Sequence, residues 1–277
     1  MDNVNQAYKQ CEEVIKVHSK SFYKAFSLLP PLKKKAVWAV YTFCRTVDDI
    51  VDEGTNPQEE LQLFEEKFYY FLKGSNPDDH FLWIALRDTF QRYEMDSIPF
   101  QEMIEGQRMD LTKKRYQDLG EVLNYSYHVA STVGLMLLPI LAPSKAKQLR
   151  HSAISLGIAM QLTNILRDIG EDLERDRIYL PSETMERFQY TEEDLKNCEI
   201  SDKFISVWES LAFEAEAYYE EAMDDLDLYP LHSRRPVKAA ALFYKAILNT
   251  VRANHYAVFN HRNYVTSEEK QLIMAKM

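Results

Sequence analysis

Two pairs of aspartates at helical spacing are the strongest chemical signal in the sequence. In one pair, Asp168 and Asp172 follow Gln161 and Asn164 along a stretch whose apolar residues recur at helical intervals. On a helix these four polar side chains share one face. An acidic stripe inside an apolar helix is unfavourable unless positive charge lies against it. We therefore expect this face to meet cations.

An earlier stretch of the chain repeats the pattern. Tyr41, Arg45, Asp48 and Asp52 are spaced 4, 3 and 4 residues apart, again on one helical face. Aspartates four residues apart repel each other, more strongly when they are desolvated. Two such faces among apolar neighbours predict two walls around a shared cation cluster. Oxygen ligands without His or Cys indicate Mg²⁺, which typically binds one or two carboxylates plus substrate phosphates.

The side chains expected between these walls suit a long apolar ligand with an anionic head. The apolar and aromatic lining would comprise Phe22, Tyr41, Tyr125, Leu156, Met160 and Tyr244. A phosphate head would be neutralised by Mg²⁺ and could accept charge-assisted hydrogen bonds from Lys20, Arg45, Arg167 and Arg177. Metal-assisted loss of diphosphate from an allylic carbon leaves a carbocation. Aromatic faces stabilise such a cation, and apolar walls exclude water.

Composition limits the class of protein. The 277 residues include only 7 glycines but 17 tyrosines and 14 phenylalanines, and the net charge is −10. With long periodic segments, this composition predicts an all-α fold in a single domain that spans residues 1–277. The acidic charge argues against a nucleic-acid partner. Three irregularly spaced cysteines predict reduced thiols, and no signal-peptide pattern begins the sequence, so we expect a cytoplasmic protein.

Periodicity and helix breakers delimit the elements that position these residues. We predict helices at 4–17, 58–72, 79–93, 99–113, 119–141, 202–228 and 234–262. The helix with Asp48 and Asp52 begins after Pro30-Pro31 and ends near Gly54. One long helix that opens at Pro143-Ser144 carries the second acidic pair. Capping patterns predict further helix starts at Thr191 and Thr266.

Three local features have more than one interpretation. The segment His18-Ser-Lys-Ser-Phe22 is dense in hydrogen-bond donors and forms either a capped helix junction or a binding segment. The small residues Ala130, Ser131 and Gly134 allow either a helix or a ligand chain to approach the backbone. For Asp110, late in a helix, we expect a surface salt bridge rather than a place in the cavity.

Four segments resemble signatures of the squalene and phytoene synthase family. The most specific is 156–181, which includes Gln161, Asn164, Arg167-Asp168, Asp172 and Arg177-Ile-Tyr-Leu-Pro181. The others are Tyr125 to Gly134, His18 to Phe22, and Arg45-x-x-Asp48-Asp49-x-x-Asp52. The similarity spans about residues 8–262. One departure is Ser131, where family members often have glycine, and it changes the expected local width of the pocket.

The resemblance implies an isoprenoid-synthase helical bundle around a central cavity, with head-to-head prenyl transferase activity. Position by position, it implies metal ligands at Asp48, Asp52, Asn164, Asp168 and Asp172. Diphosphate contacts, direct or supporting, would come from His18, Ser19, Lys20, Ser21, Arg45, Gln161, Arg167 and Arg177. The prenyl chain would lie along Phe22, Tyr41, Tyr125, Val129, Ala130, Gly134, Leu156, Met160, Tyr179 and Tyr244. Catalytic roles would fall to the four aspartates, Arg45, and Tyr41 or Tyr125, either of which would assist proton removal or stabilise the cation.

Within this family the sequence is most similar to bacterial dehydrosqualene (4,4′-diapophytoene) synthases. The similarity implies coupling of two molecules of farnesyl diphosphate with Mg²⁺ and without NADPH, as a first step of carotenoid synthesis. The alternatives are a phytoene synthase acting on geranylgeranyl diphosphate, an NADPH-dependent squalene synthase and, remotely, a non-catalytic helical scaffold. Pocket depth would decide chain length, with Phe26, Leu141 or Met160 as the floor. Because the product would be a lipid, the protein could also contact the inner face of the membrane peripherally.

Overall fold

Helices form nearly all the regular structure of the protein. The computed structural model describes residues 2–277, in which no β-strand occurs and one isolated bridge pairs Arg115 with Ile178. The prediction of an all-α fold is confirmed. The first helices are α1 (Asp2–His18), α2 (Lys20–Phe26), α3 (Pro31–Glu53), α4 (Pro57–Leu72), α5 (Phe81–Arg92) and α6 (Ile98–Thr112).

The middle of the chain contains the least regular helices. The elements here are α7 (Leu119–Ser126), a π-helical turn (Tyr127–Ser131), α8 (Thr132–Leu141), a 3₁₀ turn (Pro143–Lys145), α9 (Arg150–Arg167), α10 (Ile169–Glu174), α11 (Ser182–Arg187) and α12 (Glu192–Lys196). The chain continues with α13 (Asp202–Asp224), a 3₁₀ turn (Leu226–Leu228), α14 (Leu231–Ala253) and α15 (Ser267–Ala275). Thr191 and Thr266 form the predicted capping boxes of α12 and α15. Over residues 2–277 no helix has both the length and the apolar composition to cross a bilayer.

Two helices organise the interior. Helix α9 packs against α13, α14, α8 and the π-helical turn, while α3 packs against α1, α4, α5, α6 and α8. Close approach of α9 to the π-helical turn requires Gly157, because a Cβ there would overlap the backbone of Ala130 and Ser131. Ser131 Oγ also donates to the carbonyl of Ile154 at 2.7 Å. Ser131 of the small-residue face is thus used for helix contact.

The predicted long helix with the second acidic pair is interrupted at Asp168. The amide of Gly170 donates to Val258 O at 3.2 Å instead of continuing the helix, and a Cβ on Gly170 would overlap the backbone of Phe259. The carbonyl of Leu166, left free by this break, accepts the indole N–H of Trp208 at 3.0 Å. The partners come from the C-terminal part of the chain, so local periodicity could not reveal them. The same helix also begins later than predicted, after the 3₁₀ turn at Pro143–Lys145.

The predicted helix over 234–262 is too long at its C-terminal end. Helix α14 ends at Ala253, and the next residues, His255 and Tyr256, adopt left-handed backbone conformations with φ of 53° and 58°. The segment 254–266 that follows is an irregular loop. This loop supplies the Val258 carbonyl that interrupts the acidic helix. The end of one predicted helix therefore explains the break in another.

Candidate active site

A cavity of about 250 Å³ lies between α3 and α9. Its walls combine charged, amide and aromatic groups. The predicted site residues that line it are His18, Ser19, Phe22, Tyr41, Arg45, Asp48, Tyr125, Val129, Ala130, Met160, Gln161, Asn164, Arg167 and Tyr244. The structure thus brings together side chains from both predicted walls.

A smaller and almost wholly apolar cavity of about 60 Å³ continues from the first. The two share Phe22, Ala130 and Met160 as lining residues. The predicted residues Gly134 and Leu156 line the inner cavity, as do the proposed floor residues Phe26 and Leu141. One end of the combined space is therefore polar and the other end is hydrocarbon-like.

The acidic stripe of α3 is tied to arginine. Arg45 Nη1 lies 2.9 Å from Asp48 Oδ2, and Arg45 also pairs with Asp49. Gln107 Nε2 donates to Asp48 Oδ1 at 3.3 Å. Burial and, after it, the nearby charge of Asp52 raise the pKa of Asp48 to about 6. The charged form of Asp48 is thus disfavoured in this structure, although Arg45 opposes the shift.

The second stripe lies around the break between α9 and α10. Arg167 Nε donates to Asp168 Oδ1 at 2.8 Å, and Arg262 of the C-terminal loop reaches Asp168 at 3.4 Å and Glu171 at 3.5 Å. Burial, and then the charge of Asp168, raises the pKa of Asp172. The break leaves the two aspartates one helical turn apart, because the Asp172 amide still donates to the Asp168 carbonyl oxygen at 2.9 Å.

An ion pair connects the two stripes. Arg177 follows α10, and its Nη1 lies 2.6 Å from Asp52 Oδ1 on α3. Arg177 N also donates to the carbonyl of Asp172 at 2.9 Å. The side chains of four predicted site residues do not line the 250 Å³ cavity, namely Asp52, Asp168, Asp172 and Arg177. Asp52 lies one helical turn beyond the lining residue Asp48 on α3, and Asp168 directly follows the lining residue Arg167.

The prediction for Asp110 is wrong: its side chain is buried and forms no surface salt bridge. Tyr125 and Tyr179 each donate a phenolic hydrogen bond of 2.7 Å to its two carboxylate oxygens. The rings of Tyr125 and Tyr179 stack with centroids 4.9 Å apart. Burial raises the pKa of Asp110, although the positive charge of Arg177 and the two phenols oppose this shift. Tyr179, predicted to line the prenyl pocket, instead lies behind Tyr125 and orients it.

The donor-rich N-terminal segment forms a capped helix junction, and part of it also lines the cavity. Ser19 caps α2 by accepting from the amide of Phe22 at 3.4 Å, yet His18 and Ser19 also line the cavity. The Phe22 ring contacts Tyr244 edge-on with centroids 5.6 Å apart. The side chains of Lys20 and Ser21 do not line either cavity.

The donor atoms of this site fit a hard divalent cation. Asn164 donates to Gln161 Oε1 at 3.2 Å, but its own Oδ1 is buried beside the cavity without a hydrogen-bond partner. Across residues 2–277 no three His, Cys, Asp or Glu side chains converge closely enough to hold an ion by themselves. Mg²⁺ commonly binds one or two carboxylates and completes its shell with water and phosphate oxygens. The carboxylate and amide oxygens here suit that mode of binding.

Three polar contacts at the site were missed from the sequence. Gln107 and Asp110 are on α6, and Arg262 is on the C-terminal loop; all reach acidic or phenolic partners that are remote in sequence. For Gln107 and Asp110 a signal was available, because their i,i+3 spacing puts them on one face of α6. For Arg262 no such sequence signal was available, because its position depends on where α14 ends.

Comparison with known proteins agrees with this geometry. The family model for squalene/phytoene synthase matches residues 15–269. A 15-cis-phytoene synthase of Synechocystis sp. is 40% identical, covering 98% of this chain and 84% of the relative. The farnesyl diphosphate phosphatase YisP of Bacillus subtilis is 37% identical, covering 99% of each chain.

Among solved structures, a dehydrosqualene synthase in complex with a ligand superposes with a TM-score of 0.93 at 39% identity, covering 99% of this chain and 96% of that one. The isoprenoid-synthase fold expected from the motifs is thereby confirmed. The length of the family match, the identity of the relatives and the shared fold all agree. The chain belongs to the squalene/phytoene synthase family of prenyl transferases.

Proposed function

We propose that the protein joins two molecules of farnesyl diphosphate head to head to give dehydrosqualene, a first step of carotenoid synthesis. The observation that supports this most directly is the continuity of an acid- and arginine-lined cavity with an apolar one. A prenyl diphosphate has the same polarity, with a charged head and a hydrocarbon tail. The similarity to a dehydrosqualene synthase over 99% of the chain supports the product.

In this proposal Asp48, Asp52, Asn164, Asp168 and Asp172 hold Mg²⁺ together with the diphosphate oxygens. When bound, Mg²⁺ supplies the positive charge that makes diphosphate a good leaving group. The arginines that now pair with the aspartates are placed to bind diphosphate directly. Arg45 and Arg167 border the cavity, so each can exchange part of its contact with Asp48 or Asp168 for a phosphate oxygen.

The chemistry then proceeds in two ionisations. In the first, the allylic C–O bond of one farnesyl diphosphate breaks, diphosphate leaves, and the cation bonds to the double bond of the second molecule. Loss of a proton closes a cyclopropylcarbinyl diphosphate. In the second, this intermediate loses its diphosphate, rearranges and loses another proton to give dehydrosqualene. No external reductant enters this balance, so NADPH is not required.

The side chains of the cavity have a clear task in both steps. Tyr41, Phe22 and Tyr244 present aromatic faces to the cavity and would stabilise the cations. Tyr125 has its hydroxyl held by Asp110, so it is placed either to pass a proton or to stabilise a cation. The apolar walls keep water from the cation, which favours coupling over hydrolysis.

Product analysis tests this proposal. The enzyme is incubated with Mg²⁺ and either farnesyl or geranylgeranyl diphosphate, with and without NADPH, and the hydrocarbons are separated by chromatography. We expect dehydrosqualene from farnesyl diphosphate, unchanged by NADPH. A product formed only from geranylgeranyl diphosphate would identify a phytoene synthase, and conversion to squalene with NADPH would identify a squalene synthase. Either result would contradict the proposal.

A second candidate activity is hydrolysis of the prenyl diphosphate. It is favoured by one observation, the 37% identity over the full chain to a relative named farnesyl diphosphate phosphatase. Hydrolysis would need the same ionisation but would let water capture the cation. The same chromatography distinguishes the two, because hydrolysis gives farnesol and no coupled hydrocarbon.

The proposed product also bears on where the protein works. A hydrocarbon formed from two prenyl chains is insoluble in water and must pass into a membrane. We propose that the protein contacts the membrane peripherally to release it.

A further inference from the structure

Three turns meet at one end of the helical bundle around a single backbone carbonyl. Leu141 O, at the end of α8, accepts from Lys33 Nζ at 3.2 Å and from Ser233 Oγ at 2.7 Å. Lys33 begins α3, and Ser233 begins α14. We call the surface formed by residues 27–33, 141–149 and 229–235 the Leu141 end.

The Leu141 end exposes three leucines. Leu28, Leu32 and Leu231 are 46%, 56% and 79% exposed. Single exposed leucines are common on protein surfaces, but these three lie on the two turns that the Leu141 carbonyl joins, so they concentrate exposed apolar area at this end. Pro30, Pro31 and Pro230 adjoin them and restrict the backbone of these turns. The leucines therefore project from stiff turns rather than from mobile loops.

The three segments of this end are basic, unlike the protein as a whole. The net charge of the chain is −10, yet the three segments 27–33, 141–149 and 229–235 contain no Asp or Glu. Arg234 is paired with the exposed Asp227 at 2.8 Å, from the adjoining 3₁₀ turn. The basic residues of these segments without an ion-pair partner are Lys33, Lys145, Lys147 and Arg235.

The inner apolar cavity ends beneath this surface. Its lining residues Phe26, Leu141 and Tyr229 are at or next to the same turns that carry the exposed leucines. The hydrocarbon end of the active site is thus lined in part by residues of the Leu141 end, Leu141 and Tyr229. The acidic and arginine-rich end of the site lies at the opposite end of the cavity.

We propose that the Leu141 end docks on an anionic lipid bilayer. The three leucines enter the acyl region, and the basic residues bind the anionic headgroups. This orientation places the apolar end of the cavity against the membrane and the diphosphate end toward water. This inference rests on the proposed function, because a lipid product is the reason to dock on a membrane. Vesicle binding is measured without substrate, so a failure of docking can be distinguished from a failure of the proposed activity.

Vesicle sedimentation tests the surface. The full chain is mixed with vesicles of phosphatidylcholine alone or with about one-third phosphatidylglycerol. We expect binding to the anionic vesicles only, weakening as salt rises from about 0.05 to 0.5 M. Because each basic residue near such a surface contributes about fivefold in affinity, Lys147→Glu with Arg235→Glu should reduce binding at least about tenfold. The triple variant Leu28→Ser, Leu32→Ser, Leu231→Ser should also lose binding.

Matched controls are Lys203→Glu and Phe213→Ser, which change an exposed lysine and a 69% exposed phenylalanine on α13. Both should bind anionic vesicles like the unchanged chain, and all variants should keep the same melting temperature. Equal binding by the control and Leu141-end variants would overturn the proposal. A second result would also overturn the proposal: sedimentation velocity could show that the unchanged chain is a dimer and that the leucine variant is a monomer. The Leu141 end would then join two copies of the chain instead of binding lipid.

A site-specific dye adds a direct readout. Among the three cysteines only Cys198 is exposed, and its φ of 56° suits asparagine, so Cys198→Asn removes the reactive thiol. Leu231→Cys in this background is labelled with a polarity-sensitive dye, and Phe213→Cys serves as control. On adding anionic vesicles we expect a blue shift at position 231 only. A shift at 213 alone, or at neither position, would contradict docking through this end.

Discussion

Arg177 Nη1 lies 2.6 Å from Asp52 Oδ1, and this ion pair joins the segment after α10 to the acidic face of α3. Both side chains are largely buried, with 9% and 18% of their surface exposed. The pair holds the two acidic stripes at a fixed distance before substrate arrives. The contribution of this ion pair to stability can be measured separately from the proposed role of Arg177 in binding diphosphate.

We predict that Arg177→Met lowers the free energy of unfolding by about 3 kcal/mol, because it leaves the Asp52 carboxylate buried without its partner. Adding Asp52→Asn should recover part of this loss, since the unpaired charge is then removed. Arg175→Met is the matched control, because Arg175 is 3.9 Å from Asp52 and more exposed, and it should cost no more than about 1 kcal/mol. Denaturant unfolding gives the values. If the changes in unfolding free energy caused by Arg177→Met and Asp52→Asn simply add in the double variant, the two side chains are not coupled, which would contradict this prediction.

Removal of one aspartate from either stripe should abolish product formation and leave the fold intact. Asp48→Ala removes a carboxylate that lines the cavity, and Asp168→Ala removes the carboxylate next to the lining residue Arg167. In each, loss of like-charge repulsion offsets loss of the arginine contact. Asp224→Ala, at an exposed position at the end of α13, is the control and should retain full activity. Product chromatography and circular dichroism are measured together. Full activity of either stripe variant would contradict the metal-binding role.

Chelation should stop turnover reversibly. The carboxylates alone do not gather three ligands at one point, so we expect Mg²⁺ to bind weakly without diphosphate and to be removed readily by EDTA. Excess Mg²⁺ should restore the original rate, whereas Na⁺ at the same ionic strength should not. An enzyme that keeps its activity in EDTA would exclude this mechanism.

The buried Asp110 cluster should contribute to stability as well as to the site. Asp110→Ala leaves the hydroxyls of Tyr125 and Tyr179 without their acceptor, so we expect a loss of about 2–3 kcal/mol in unfolding free energy. Asp96→Ala, in the exposed turn before α6, should change stability much less. If Asp110 formed a surface salt bridge, the two variants would behave alike in thermal melts.

Gly170 should not tolerate a side chain. In Gly170→Ala the Cβ would overlap the backbone of Phe259, which cannot move without displacing the loop that carries Arg262. We expect a loss of about 2 kcal/mol in stability and reduced turnover. Gly120→Ala is the control, because its Cβ meets only the side chain of Asp118 and alanine favours the helix. Unchanged activity in Gly170→Ala would show that the loop is not needed at the site.

The parts of the site that were predictable from the sequence depend on short-range geometry. Asp48 and Asp52 lie on one face of α3 because helical spacing dictates it, and the capping boxes at Thr191 and Thr266 follow from local hydrogen bonds. The break at Asp168 depends instead on the remote carbonyl of Val258. The only sign of this break in the sequence is Gly170, and a glycine can also lie inside a continuous helix at a modest cost in helix stability.

Long-range contacts account for the remaining differences. Asp110 is held by Tyr125, which is 15 residues away, and by Tyr179, which is 69 residues away. In the sequence Asp110 follows Gln107 and Arg108 late in a helix, and this local setting favours a surface salt bridge. Arg262 reaches Asp168 because α14 ends at Ala253, and that end is marked by the left-handed residues His255 and Tyr256 rather than by a glycine or proline.

The ratio of released diphosphate to hydrocarbon product tests the central claim most directly. Head-to-head coupling breaks the allylic C–O bonds of both farnesyl diphosphates, so we expect two diphosphates for each dehydrosqualene formed with Mg²⁺. Radiolabelled substrate and a coupled assay for diphosphate measure both quantities in one reaction. One diphosphate for each farnesol, with no coupled hydrocarbon, would contradict the claim that the cavity joins two prenyl chains.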